Sequence, residues 1–152
     1  MIIFQLYNAI ANRLALNANL FPSGQTPLLN GVFDNFAGSG LNFPFVVVDF
    51  ADDFEDDAFA LNQSEVTVRL NLFTSTWPSS SQPSGNIMQF IYGQPDASDG
   101  YGMHRWVPGA SDFGTSPWRA EGGFYRTRGY TNHTENAYHW IDEYRIRCYN
   151  AA

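Results

Sequence analysis

The sequence predicts an α+β domain, an antiparallel β-sheet with two helices packed on one face in the order α-β-β-β-α-β-β, carrying a long Gly/Trp/Pro-rich loop. Three observations carry this expectation. Apolar residues recur at helical spacing near the N-terminus, "SEVTVRLNLFTST" (64–76) alternates apolar with polar, and "YHWIDEYRIRCY" (138–149) alternates again towards the C-terminus. A chain of 152 residues reads as a single domain, 1–152, with 95–123 as a long loop or insertion.

The first helix is predicted from Ile3, Leu6, Tyr7, Ile10 and Leu14, which share one face, and it should stop near Asn17 to Asn19, before "FPSGQTP". "GVFDN" (31–35) is a short strand candidate and "AGSG" a turn. "NFPFVVVDF" (42–50) is a strand whose unbroken apolar run implies burial on both faces. In "SEVTVRLNLFTST", Val66, Val68, Leu70 and Leu72 make the dry face. The stretch from Asp49 to Gln63 is then expected to be a connection. After the polar linker "WPSSSQPSGN", "NIMQFIYG" (86–93) is a short helix capped by Ser84, with Ile87, Phe90 and Ile91 against the sheet.

Residues 95–123 contain six glycines and are long for a connection, as in loops that carry function or are ordered by a partner. "FYRTRGYT" (124–131) and the last strand form a hairpin around "NHTENA". With its turn centred near Thr134 and Glu135, Arg126 falls opposite Glu143 or Tyr144, and Arg128 opposite Ile141 or Asp142. Asp142 falls on the apolar side with Tyr144, Ile146 and Cys148, so a bulge or an end of pairing is expected near Ile141.

Composition narrows function. The net charge is −7 and every basic residue is arginine, a balance unlike that of a protein gripping a nucleic-acid backbone. The N-terminus has neither a basic leader region nor a long apolar core, so no signal peptide or membrane span is expected. The single cysteine, Cys148, excludes an internal disulfide and is expected to be buried. His104, His133 and His139 sit at no metal-ligand spacing, and no nucleophile–base motif or P-loop occurs. The expectation is a protein that is not an enzyme and needs no cofactor.

"DFADDFEDDAF" (49–59) gathers Asp49, Asp52, Asp53, Glu55, Asp56 and Asp57. It lacks the central glycine and alternate ligands of an EF-hand, although an irregular calcium site stays open. Paired catalytic carboxylates need an enclosed cleft to separate their pKa values. A solvated negative face is the third reading. Charge is also uneven along the chain. Residues 1–76 hold two arginines against eight acids, a net of −6, and residues 77–152 hold six against seven, a net of −1. Arginine without lysine suits protein contact, so Arg105, Trp106, Trp118, Arg119, Arg126, Arg128, Arg145 and Arg147 are candidates for a subunit or partner interface. Acids on one half and arginines on the other suit a head-to-tail contact between copies, which makes a ring if it closes.

The order "LYNAIANRLAL", "GVFDN", "FPFVVVDF", "VTVRLNLFTST", short helix, "YRTRGYT" and "YHWIDEYRIRCY" resembles the tail-terminator, or tail-completion, proteins of tailed bacteriophages. Residues 95–123 depart from that pattern, being longer and richer in Gly, Trp and Pro. The resemblance implies a structural virion protein, a homohexameric ring at the head-proximal end of the tail tube that stops tube growth and docks to the neck. Its implied partners are further copies of itself, the tail tube protein and a neck or head-completion protein. DNA would pass through without specific binding, and the acidic run would line the channel, repelling phosphate at short range. It implies a virion location in tail or neck, after assembly in the host cytoplasm. The competing reading is a carbohydrate- or small-ligand-binding β-domain using Trp77, Tyr101, Trp106, Trp118 and Tyr125 on loops.

Overall fold

The computed structural model describes residues 2–16, 32–34, 45–55, 63–74, 102–133 and 138–152. Helix α1 (Ile2–Leu16) comes first, followed by strands β1 (Val32–Asp34), β2 (Phe45–Glu55) and β3 (Gln63–Thr74). A 3-10 turn (Ala110–Phe113) and strand β4 (Trp118–Ala120) precede β5 (Tyr125–His133) and β6 (Tyr138–Asn150). The strands form one six-stranded sheet in the order β1-β2-β3-β6, with β4 and β5 both pairing β6.

The alternation in β3 and β6 sets the two faces. Val66, Val68, Leu70 and Leu72 lie opposite Ile146, Tyr144, Asp142 and Trp140, and β2 adds Val46 and Val48 to the same rows. Helix α1 covers this face with Ile2, Leu6, Ile10 and Leu14, all fully buried, while Ile3 and Tyr7 pack at the margin. Phe45, Val46, Val47 and Val48 are all buried, as their unbroken apolar run requires. Cys148 is buried in the same core, as expected of its strand position. Among the described residues no helix is long and apolar enough to cross a membrane.

Four expectations change. The sheet is not purely antiparallel: β1 runs parallel to β2, with Val32 to Asp34 beside Val46 to Val48. β2 does not end where the acids begin; it continues through Asp52, Asp53 and Glu55, because β3 is long enough to keep pairing with it. A bulge at Ala51 absorbs the change of pattern, the register moving from Phe50 opposite Val68 to Asp52 opposite Thr67. The described part of the long loop, 102–123, packs into the protein, since Met103 and Phe113 enter the core beside Phe124. Its ends are tied as well, Arg105 N–H donating to Phe124 O (2.7 Å) and Phe124 N–H to Trp106 O (2.9 Å). A Cβ on Gly123 would meet Arg105 O at 2.7 Å, so this close approach needs glycine. The second helix of the two expected on one face, 86–93, lies outside the described residues, as do the connection 56–62 and the turn 134–137.

The fourth change is in the last hairpin. β6 pairs β3 without interruption past Asp142, and the bulge lies in the partner, at Thr127 of β5. Arg126 is opposite Tyr144, one of its two expected partners, but Arg128 is opposite Glu143 instead of Ile141 or Asp142. In a plain strand Arg126 and Arg128 would share a face. The extra residue sends them to opposite faces, and each meets one acid.

Ile146 is 2% exposed and packed among α1, β3 and Tyr144 neighbours, so Ile146→Ala should cost about 2–5 kcal/mol of folding stability. Chemical denaturation measures it, and an unchanged midpoint would contradict the placement of β6. Gly129 lies opposite Asp142, where an added Cβ would sit 2.6 Å from Asp142 Oδ1 and collide with Arg126 Nη2. Gly129→Ala should therefore lower the melting temperature, and should do so less once Arg126 is also shortened to Ala.

Candidate interaction surface

The face of the sheet that α1 does not cover carries a row of alternating charge. Asp49 of β2, Arg69 of β3, Glu143 of β6 and Arg128 of β5 are register partners in succession. Arg69 Nε donates to Asp49 Oδ1 (2.8 Å), and Arg128 donates to both Glu143 oxygens, Nε to Oε2 at 2.6 Å and Nη2 to Oε1 at 3.1 Å. A second row pairs Glu65 with Arg147 (3.1 Å) and, more loosely, Arg145 (3.8 Å). The Glu65 pairs are the more solvated, so each contributes no more than about 0–1 kcal/mol, whereas Glu143 and, in part, Asp49 are withdrawn from water. Opposite charges across neighbouring strands agree with the register that the dry face sets.

Beside the row lies an aromatic and polar stack. Phe45, Phe73 and His139 are consecutive register partners whose rings stack at centroid distances of 5.1 and 4.3 Å. Asn71 Nδ2 donates to Val47 O (3.0 Å) and Asp49 Oδ2 (2.9 Å), which leaves Asn71 Oδ1 to accept from His139 Nε2 at 2.8 Å. That orientation fixes the proton of neutral His139 on Nε2. Burial pulls the His139 pKa below its usual value, partly opposed by the charge of Asp49.

On the α1 side, Asp142 is 3% exposed and accepts from Arg126 Nη2 (2.9 Å), Arg126 Nε (3.1 Å) and the Tyr144 hydroxyl (3.4 Å). Burial raises its pKa, and Arg126 works in the opposite direction. The sequence hint to this site was an aspartate on an apolar row; the hint missed was that Gly129 leaves room for the guanidinium above it.

The remaining predicted interface residues separate into two groups. Trp106 stacks on Phe124 (5.4 Å) and carries the Arg13 guanidinium over its ring (4.5 Å), while Arg13 Nε donates to Gly102 O (2.7 Å). Trp106 is therefore part of the packing between α1 and the loop. Arg119 folds back on Ser116 O (2.8 Å) and Trp118 O (2.6 Å). Arg105 is exposed and holds a positive φ of 66°. Trp118 lines a groove of about 680 Å³ between α1 and 111–118, together with Phe4, Asn8, Asn12 and Asp112. Tyr125 lines a separate depression with Glu65 and Arg145. Trp118 and Tyr125 thus share no platform, and Trp77 and Tyr101 lie outside the described residues.

Of the acidic run, Asp49 is engaged with Arg69 and Asn71, whereas Asp52, Asp53 and Glu55 occupy the far half of β2. Asp56 and Asp57 lie outside the described residues. Among the described residues no three His, Cys, Asp or Glu side chains gather to hold a metal ion.

No family model matches the chain, and no curated protein matches it in sequence. Among solved structures, it is similar to a chain in the virion of a native gene transfer agent particle, at 14% identity and a TM-score of 0.52, over 95% of this chain and 94% of that one. The likeness is one of fold. It runs through nearly the whole of both chains.

His139 gives a pH prediction. Its folded pKa is depressed, so protonation favours the unfolded chain, and stability is lost as pH falls from about 6.5 through the lower folded value. Thermal melts between pH 7 and pH 5 should show this loss, and His139→Gln should flatten it. An equal slope in both proteins would show that His139 is not the titrating group.

Proposed function

We propose that this protein is a structural virion component that forms a homohexameric ring at the head-proximal end of a phage tail tube. There it stops tube growth and joins the tail to the neck, with DNA passing through the channel. The observation that carries this reading is the full-length fold similarity to a chain of a gene transfer agent virion. The order of elements, which resembles the tail-terminator pattern, supports the finer assignment. The partners are other copies of the chain, the tail tube protein and a neck or head-completion protein. The protein resides in the virion, in tail or neck, after assembly in the host cytoplasm; it has no catalytic role, needs no cofactor and does not engage a membrane.

In this reading Asp52, Asp53, Glu55, Asp56 and Asp57 line the channel or its rim, where carboxylates keep phosphate moving. Asp49 plays a different part, since Arg69 and Asn71 hold it within the sheet.

Native mass spectrometry and negative-stain imaging of the purified protein, alone and with tail tube protein, test the ring. The expected result is a closed hexamer in at least one condition, and a monomer in both would overturn it. Asp52, Asp53, Asp56 and Asp57 changed together to Asn should leave melting temperature and ring assembly intact and slow DNA ejection. Chelator should change nothing. Normal ejection by this variant would remove the channel assignment, failed assembly would move the acids to the subunit interface, and chelator sensitivity would replace it with an ion site.

A further inference from the structure

The face of the sheet opposite α1 carries one cation that its own acids do not satisfy. Arg145 lies one row beyond the Asp49–Arg69–Glu143–Arg128 row, in register with Thr67 of β3 and Tyr125 of β5. Its ion pair among the described residues is with Glu65, Nη1 to Oε1 3.8 Å, which is outside hydrogen-bond reach. Glu65 instead accepts from Arg147 Nη2 at 3.1 Å. The Arg145 side chain is 58% exposed, and its guanidinium donates no hydrogen bond to the described residues.

Arg145 also lines two neighbouring depressions. One, of about 410 Å³, is walled by Arg69, Arg128 and Arg145 with Thr67, Thr127 and Glu143. The other, of about 450 Å³, is walled by Arg145, Arg147, Glu65, Glu121 and Tyr125. The bulge at Thr127 makes the first of these, because it turns Arg128 onto the same face as Tyr125. Three guanidiniums there meet one carboxylate, and that carboxylate is already engaged. Both Glu143 oxygens accept from Arg128, and the side chain is only 11% exposed. Arg69 and Arg128 keep N–H groups beyond those given to Asp49 and Glu143. The result is a cationic, donor-rich recess on a protein whose net charge is −7.

The recess suits a single carboxylate better than a phosphate backbone. A nucleic-acid strand repeats its charge about every 3.4 Å, and it would meet Glu65 and Glu121 in the adjoining depression. One Asp or Glu side chain enters without meeting them. Tyr125, 63% exposed beside Arg145, is of the residue type that anchors protein contacts together with arginine. The chain itself supplies the acids. Fifteen carboxylates against eight arginines leave seven over, even if every arginine takes one.

We propose, resting on the ring reading above, that the Arg69–Arg128–Arg145 recess receives an Asp or Glu side chain of the next copy, with Arg145 as its principal ligand. The planar guanidinium gives that carboxylate two parallel, charge-assisted hydrogen bonds. The contact is head-to-tail, since the recess and the acid that fills it lie on different parts of the chain.

The absence of lysine makes a direct test possible. Arg145→Lys keeps a cation in the recess and introduces the sole lysine of the chain. Isotope-labelled and unlabelled Arg145→Lys protein are mixed, assembled with tail tube protein and treated with a carbodiimide, which joins an amine to a carboxylate in contact with it. Mass spectrometry should find residue 145 joined to an Asp or Glu of the other isotope. Arg145→Ala should keep its melting temperature and yet need about tenfold more protein to assemble. Rings in which residue 145 is joined only to Glu65, Glu143 or Asp52 of its own copy, or only to tube protein, would overturn the proposal and leave the ring reading standing. A labelled DNA oligonucleotide that binds wild type but not Arg145→Ala would overturn it in favour of phosphate. Absence of any assembled particle would remove both.

Discussion

The twelve residues of β3 pair in unbroken antiparallel register with β6; β2 pairs β3, β4 and β5 pair β6, and β1 joins through β2. On one face the β3–β6 pair presents Val66, Val68, Leu70 and Leu72 with Tyr144, Ile146 and Cys148, a dry surface that α1 and the Met103 and Phe113 anchors cover. Fully burying one such side chain is worth roughly 1.5–3 kcal/mol, and a one-residue slip would turn all of them to water. Register is thus fixed by the hydrophobic effect. The ion pairs on the other face inherit it.

The polar side of the structure follows from where the alternation is broken. Two bulges, at Ala51 and Thr127, lie in the strands that flank the central pair. The one at Thr127 lets a single strand deliver Arg126 to a buried aspartate on one face and Arg128 to a glutamate on the other. Gly129 supplies the clearance for the first of these. Leaving Asp142 buried without Arg126 would cost several kcal/mol, so this bulge, glycine and ion pair form one unit.

Much of this was legible in the sequence, for a physical reason. Period-two alternation over Glu65–Leu72 and Glu143–Cys148, and helical spacing over Ile3–Leu14, are local patterns imposed by a single dry face. The parallel pairing of β1 was not legible, because three residues carry no signal for their partner. Nor was the extension of β2: charge at Asp52, Asp53 and Glu55 reads as loop, yet the length of β3 keeps those residues in the ladder. The loop anchors Met103 and Phe113 were visible only as isolated apolar residues among glycines. Asp142 did signal trouble on an apolar row, but the bulge that answers it lies in the other strand, at a threonine with no distinguishing neighbours. Of the candidate interface residues, Trp106 turned out to be committed inward by Arg13 and Phe124, which no spacing rule foretells.

What the fold leaves exposed is as informative as what it buries. Among the described residues β5 pairs with β6 alone and is shielded only as far as Arg126, and a strand edge left in that way is an aggregation hazard unless another chain takes it. Amide hydrogen exchange on the free protein and on the assembled particle examines this division most directly. β3 and β6 should be the most protected segments in both states, while Arg128–Asn132, exposed along β5, should exchange faster in the free chain. Exchange from β3 or β6 as fast as from Arg128–Asn132 would contradict the central claim that the β3–β6 pair is the unit on which the rest of the sheet depends.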